Sequence, residues 1–63
     1  MDLITKLKEM RALALDDARS FLHLYEEALL SDRFLAADGY REQHKLAEGR
    51  IFAFDAILAL VAP

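Results

Sequence analysis

The chain has 63 residues, no cysteine and a net charge of −3 at pH 7. Residues 1–63 form one domain at most, near the lower size limit for folding without a disulfide or a metal. The lack of cysteine excludes disulfides and thiolate metal sites, and the acidic balance argues against a nucleic-acid binder, which normally has a basic face. Hydrophobic residues make up 56% of the chain, above the roughly 45–50% of typical soluble domains. We therefore expect oligomerisation to complete the core.

The first predicted element is a long helix over about residues 3–30. Asp2 is a good N-cap residue, and apolar residues follow at helical spacing with a one-residue shift near Asp17. The predicted apolar stripe contains Leu3, Leu7, Met10, Ala14, Ala18, Phe21, Tyr25 and Ala28. The opposite face contains Lys6, Glu9, Asp16, Ser20, His23 and Glu27. This pattern is typical of a helix that buries one face.

The connection between two helices is predicted within residues 31–39. Asp38-Gly39 is the strongest turn signal in the chain. Phe34 and Leu35 are expected to fold back over the end of the core. Because a short connection makes consecutive helices antiparallel neighbours, this segment predicts a hairpin.

The second predicted helix covers about residues 40–61, and its apolar residues alternate at spacings of four and three. They are Tyr40, His44, Ala47, Ile51, Phe54, Leu58 and Val61. This is the a/d spacing of a coiled-coil seam. A second apolar row, with Phe52, Ala56 and Ala59, makes the C-terminal part apolar on nearly all sides, so a hairpin alone leaves it partly uncovered. We predict an all-α fold: an antiparallel two-helix hairpin that assembles into a dimeric four-helix bundle or a larger helical assembly.

Two His–Glu pairs stand at i,i+4 spacing: His23 with Glu27, and His44 with Glu48. Such pairs ligate metals in some helical bundles. The first pair lies on the predicted polar face and nothing places the second pair opposite it, so we interpret both as exposed helix pairs and predict no metal site. His44 also interrupts the seam. It is either a residue that titrates between pH 5 and 8 or a seam-edge residue hydrogen-bonded to a neighbouring tyrosine.

Gly49 and Asp55 are unusual residues within the second helix. A glycine in a helix interior costs about 1 kcal/mol relative to alanine, so Gly49 indicates close approach of another backbone, from a partner or from within the hairpin. Asp55 lies in the most apolar segment. We expect it either at an exposed polar edge or in an interfacial ion pair with Arg50 or Arg19 that fixes the register.

Catalytic and membrane functions have little support in the sequence. No Ser/His/Asp grouping, Gly-rich loop or paired-carboxylate cleft can be assembled, so we predict no enzymatic activity and no cofactor. The N-terminus lacks the features of a signal peptide. The apolar stretch from Ile51 to Pro63 is interrupted by Asp55 and is shorter than the roughly 20 residues of a membrane span. Because this segment has no basic polar face, membrane-surface binding is the least supported of the possible functions. We expect a cytoplasmic protein.

The segment from Tyr40 to Ile51 resembles part of small helical-hairpin proteins encoded by tailed bacteriophages and prophages. In those proteins a turn with Asp or Gly precedes a Tyr-led helix with a Leu-x-x-Gly-[Arg/Glu]-Ile core, and here that core is Leu46, Gly49, Arg50 and Ile51. The resemblance covers about a third of the chain. It implies a minor virion component or a small inhibitor of a host protein, located in the host cytoplasm or the virion.

These observations predict a non-enzymatic protein–protein interaction module that self-associates through its second helix. The alternative is an inhibitor or adaptor whose apolar helix docks on a host enzyme or regulator. The partner is then a second copy of the chain, or a host or virion protein, rather than nucleic acid. The predicted interface contains Tyr40, His44, Ala47, Gly49, Ile51, Phe52, Phe54, Asp55, Leu58 and Val61.

Overall fold

The computed structural model describes residues 2–61, which form two α-helices that pack against each other as a hairpin. Helix α1 is Leu3–Leu30 and helix α2 is Phe34–Val61, each of 28 residues. The hairpin is a thin rod of 47 × 17 × 12 Å, as expected for two antiparallel helices of about 42 Å each. The predicted all-α two-helix hairpin is confirmed.

Helix α1 begins at Leu3, as predicted, because Asp2 caps its first turn. The Thr5 backbone N–H donates to Asp2 Oδ1 at 2.7 Å, and the Lys6 N–H donates to the Asp2 carbonyl oxygen at 3.1 Å. The hydrogen bond from Thr5 favours the ionised carboxylate and lowers the pKa of Asp2 below its usual 3.8. The predicted N-cap is confirmed.

Helix α1 ends in a Schellman motif, in which two backbone N–H groups beyond the helix bond back to its last turn. The Arg33 N–H donates to the Ala28 carbonyl at 2.8 Å, and the Asp32 N–H donates to the Leu29 carbonyl at 3.2 Å. Asp32 has a φ of 57°, in the left-handed region that this motif requires and that aspartate tolerates better than most residues. The Arg33 carbonyl then accepts from the Ala37 N–H of α2 at 2.9 Å. Three residues therefore reverse the chain.

The predicted connection was too long, because α2 begins at Phe34 and not at Tyr40. Asp38 and Gly39 lie inside α2, where regular helical hydrogen bonding replaces the predicted turn. The prediction that Phe34 and Leu35 fold back over the core is also wrong: both are exposed in the first turn of α2. Extending α2 backwards lets Ala37, 1% exposed, join the seam, and this burial offsets part of the cost of Gly39 in a helix.

The seam of α1 runs without a shift along the whole helix. The half-buried and buried residues at its centre are Ile4, Leu7, Arg11, Ala14, Ala18, Phe21, Tyr25 and Ala28, with regular spacings of three and four. The prediction placed Leu3 and Met10 in this stripe, but both are exposed. Arg11 occupies the seam position that was assigned to Met10, which made an uninterrupted pattern look shifted.

The predicted seam of α2 packs inside the hairpin from Tyr40 to Leu58 and extends one step further towards the connection, to Ala37, whereas Val61 at its other end is 41% exposed. Because both seams have the same spacing and the connection is short, residues counted outwards from it lie at matching levels: Ala28 with Ala37, then Tyr25 with Tyr40. The rings of Phe21 and Tyr40, in neighbouring levels, have centroids 6.5 Å apart. Ala28 and Ala37 are 0% and 1% exposed, so the seam is closed beside the connection.

Candidate interaction surface

The residues beside the seam form two flanks of the hairpin. With the seam at heptad positions a and d, positions e and g lie on opposite sides of it, and in an antiparallel pair the g positions of both helices share one side. The structure shows this sharing directly, because Met10 and Asp17 of α1 line one shallow depression together with Arg50 of α2.

One side, here named the apolar flank, consists of the g and neighbouring c positions. Its exposed large side chains are Leu3, Met10 and Leu13 of α1, and Leu46, Ile57 and Leu60 of α2. Leu13 is 65% exposed and Leu60 is 86% exposed. Arg50 Nη1 lies 3.9 Å from Asp17 Oδ2 between these side chains. The c positions also include Lys6 and Glu27, at either end of the α1 side. The flank is thus an apolar strip with the Asp17–Arg50 pair near its middle and single charged residues towards its ends.

The opposite side, here named the charged flank, consists of the e and neighbouring b positions and carries Lys8, Arg41, Glu48 and Asp55. It also carries three leucines of α1: Leu15, which is half-buried, and Leu22 and Leu29, which are 41% and 40% exposed. Arg11 reaches from the seam of α1 to Asp55: Nε donates to Oδ1 at 2.5 Å and Nη2 donates to Oδ2 at 3.4 Å. This hydrogen bond, and then the charge of the carboxylate, raise the pKa of Arg11. The predicted partners of Asp55, Arg50 and Arg19, were wrong, and Asp55 lies at an exposed edge where it connects the two helices of one hairpin.

Both histidines bind the glutamate of their own helix. His23 Nε2 lies 3.0 Å from Glu27 Oε1, and His44 Nδ1 lies 3.1 Å from Glu48 Oε1. The interpretation as helix pairs is therefore confirmed for these contacts, whereas the suggested tyrosine partner of His44 is wrong. Over residues 2–61 no group of three or more His, Asp or Glu side chains is placed to hold a metal ion.

Gly49 has open space around it within the hairpin. A Cβ atom added at Gly49 would meet nothing within 4 Å, so the interpretation that Gly49 allows tight packing between the two helices of one chain is wrong. The other interpretation, contact with a partner, stays a prediction.

The structure divides the predicted interface into two groups. Seven of its residues lie along the seam that faces α1: Tyr40, His44, Ala47, Ile51, Phe54, Leu58 and Val61. The other three, Gly49, Phe52 and Asp55, lie on the outer face of α2 or on its charged-flank side. Contact of these ten residues with a second copy stays a prediction, because within the chain the α2 seam is used against α1.

Sequence reasoning missed the apolar flank because it placed Leu3 and Met10 in the α1 stripe and assigned the interface to α2. Once the seam of α1 is set at Ile4, Leu7 and Arg11, the flanking positions follow from the heptad. The signal available in the sequence was the exact three–four spacing on both helices, provided that a charged residue is accepted at one seam position.

A second exposed apolar group, here named the tip cluster, surrounds the connection and consists of Leu30, Phe34 and Leu35. Leu30 is 88% exposed and Leu35 is 91% exposed. These side chains lie beyond the last seam level, so they do not extend the apolar flank along the rod.

No family model, curated protein or solved structure matches this chain. Within residues 2–61 neither helix is long and apolar enough to cross a membrane.

Proposed function

We propose that this chain is a non-enzymatic protein–protein interaction module that self-associates by burying its apolar flank. The observation that carries the proposal is that the hairpin has filled its own seam and still exposes large apolar side chains, six of them on the apolar flank. Burying each such side chain contributes roughly 1.5–3 kcal/mol. The proposal keeps the self-association predicted from the sequence and moves the contact from the α2 seam to the flank.

The distribution of exposed apolar residues supports this proposal. Scattered surface leucines are ordinary, but a continuous apolar patch of several hundred Å² marks an interaction surface. On the apolar flank these residues recur on both helices, from Leu3 to the level of Leu46. The charged flank carries Arg41, Glu48 and Asp55 on α2, and its exposed large apolar residues are Leu22, Leu29 and Phe52. The apolar flank therefore exposes more large apolar side chains than the charged flank, and its burial removes more apolar surface from water.

Thermal unfolding at several protein concentrations tests the proposal. Association stabilises the folded chain by mass action, and a hundredfold rise in concentration contributes about 2.7 kcal/mol per dimer. We expect the melting temperature, followed by circular dichroism, to rise steadily with concentration. A melting temperature that is constant over a hundredfold range would show that folding is unimolecular and would refute self-association.

The tip cluster favours a second candidate function, that of an adaptor or inhibitor that docks on another protein. Leu30, Phe34 and Leu35 form an apolar end that packing along the rod leaves uncovered. In the phage setting that the resemblance implies, the first candidate corresponds to an assembly or virion protein and the second to an inhibitor of a host protein. Replacing Leu35 with Asp distinguishes them: it should abolish stoichiometric capture of a host protein and leave self-association intact.

A further inference from the structure

The charge pair on the apolar flank constrains how two copies meet. Asp17 and Arg50 lie near the middle of their helices, at almost the same level along the rod, 3.9 Å apart and each with a 56% exposed side chain. Their contact is loose, and each retains hydrogen-bonding capacity towards the solvent side of the flank. Burial against an apolar surface would be unfavourable for both, so a partner for this flank needs an opposite charge pair at that level.

A second copy of the chain supplies that pair in only one of two symmetric arrangements. If the two-fold axis runs parallel to the helices, α1 faces the partner's α2, and Asp17 lies opposite the partner's Arg50. If the axis runs perpendicular to the helices in the interface plane, α1 faces the partner's α1, and like charges lie opposite each other. Both arrangements make every neighbouring pair of helices antiparallel, as in up-down bundles, so the charges are what distinguishes them.

The surface area of the hairpin matches the needs of such a dimer. Its accessible area is 4770 Å², whereas a compact folded protein of 7.2 kDa exposes about 4,100 Å². The excess of roughly 650 Å² approaches the about 800 Å² that each partner buries in a standard interface. An isologous contact uses the same patch on both copies, and the exposed large apolar side chains of this flank extend along about half of the rod, from Leu3 to the level of Leu46.

We propose that the apolar flank binds the same flank of a second copy about a two-fold axis parallel to the helices, with Asp17 of each copy beside the partner's Arg50 and both connections at one end. This inference rests on the proposed function and adds the surface, the partner and the orientation. It places the two tip clusters next to each other at one end of a four-helix bundle.

Charge reversal tests the pairing. Asp17→Arg gives a flank with two basic residues and Arg50→Asp gives one with two acidic residues, so each variant repels its own copy. Mixed in equal amounts, they present opposite charges to each other. We expect each variant alone to have a dimer Kd raised at least about 10-fold, and the mixture to form a heterodimer in preference to either homodimer. Native mass spectrometry resolves the three species by mass.

The matched controls carry the same charge changes on other faces. Asp16→Arg lies on the outer face of α1, and Arg41→Asp lies on the charged flank. Both should dimerise like the original chain and mix statistically. Circular dichroism of every variant checks that the helices remain folded; the exposed positions of Asp17 and Arg50 make this the expected result.

Spin labels give an independent measure of orientation that does not depend on charge. The chain has no cysteine, so Ser31→Cys, at the exposed connection, takes a single label. Connections at one end place the two labels within about 25 Å, since neighbouring helices lie 8–10 Å apart. Connections at opposite ends place them about the 47 Å length of the rod apart.

The outcomes separate this inference from the proposed function. A monomeric original chain refutes both. A dimer whose Asp17→Arg and Arg50→Asp variants behave like their controls refutes the apolar flank as the interface, and leaves self-association standing. A dimer with long label distances, or a mixture that fails to form the heterodimer, refutes the parallel two-fold axis. Preferential heterodimers with short label distances support the inference.

Discussion

The two flanks of the hairpin are built by the same two helices and differ in how apolar and charged side chains are distributed between those helices. The apolar flank exposes large aliphatic side chains from both helices around the Asp17–Arg50 pair, whereas the charged flank combines Leu22 and Leu29 of α1 with the charged residues of α2 and the Arg11–Asp55 contact. Both flanks border the same filled seam. The seam residues therefore determine how one chain folds, and the residues at the flanking positions determine which side of the folded hairpin is available for a partner.

The largest expected effect comes from placing a charge on each side in turn. Leu13→Asp on the apolar flank should raise the dimer Kd at least about 100-fold, because each copy loses a leucine whose burial is worth roughly 1.5–3 kcal/mol. Phe52→Asp is the matched control, since Phe52 is 78% exposed and lies on the charged-flank side of α2. Sedimentation velocity measures both. If both variants raise the dimer Kd equally, the apolar flank is not the preferred contact surface.

A smaller effect is expected at the two helix-interior glycines. Neither has any atom within 4 Å of an added Cβ, so Gly39→Ala and Gly49→Ala should each stabilise the hairpin by about 0.5–1 kcal/mol. Urea unfolding in the Leu13→Asp background measures the hairpin without its partner. In the original background, Gly49→Ala should leave the dimer Kd unchanged. A clear rise in the dimer Kd would show that Gly49 contacts the partner on the outer face of α2.

The smallest effect is expected at the N-cap, at the end of the rod remote from the connection. The folded chain lowers the pKa of Asp2 below 3.8, so its ionised form stabilises the fold fully above that value, and this contribution is lost as the pH falls through the lower, folded pKa. Asp2→Asn should therefore flatten the acid limb of stability against pH and change little at neutral pH, because asparagine also caps helices.

Asp16→Asn is the control for that titration, since it removes an equal charge from the outer face of the same helix. Melting temperatures between about pH 2 and pH 7 give the comparison. Identical acid limbs for Asp2→Asn and the original chain would mean that the Asp2–Thr5 hydrogen bond contributes nothing to folding.

The sequence was sufficient to predict the elements whose signals are local. The N-cap depends on Asp2 and on the N–H groups of Thr5 and Lys6 in the first turn. The α2 seam depends on apolar residues at regular spacing. Both predictions were correct. The connection was misplaced because Asp38-Gly39 is a strong local turn signal that the tertiary fold overrides. Burying Ala37 against α1 stabilises the helix through that site, and this tertiary contact cannot be read from the neighbouring residues in the sequence.

The candidate surface was harder to predict because it depends on the exact phase of α1. Replacing Met10 by Arg11 at one seam position moves Leu3 and Met10 from the predicted core to the exposed surface. In the sequence, an arginine among apolar residues looks like a break in the seam pattern. In the structure its aliphatic stem packs at the seam edge and its guanidinium reaches Asp55, which restores a regular pattern.

The most direct test of the account is the solution mass of the original chain, measured by light scattering over a wide range of concentrations. The account predicts a closed dimer with twice the chain mass of 7.2 kDa that dissociates only on dilution. A mass of one chain at every concentration would contradict it, because the apolar flank would then remain in water without a second copy.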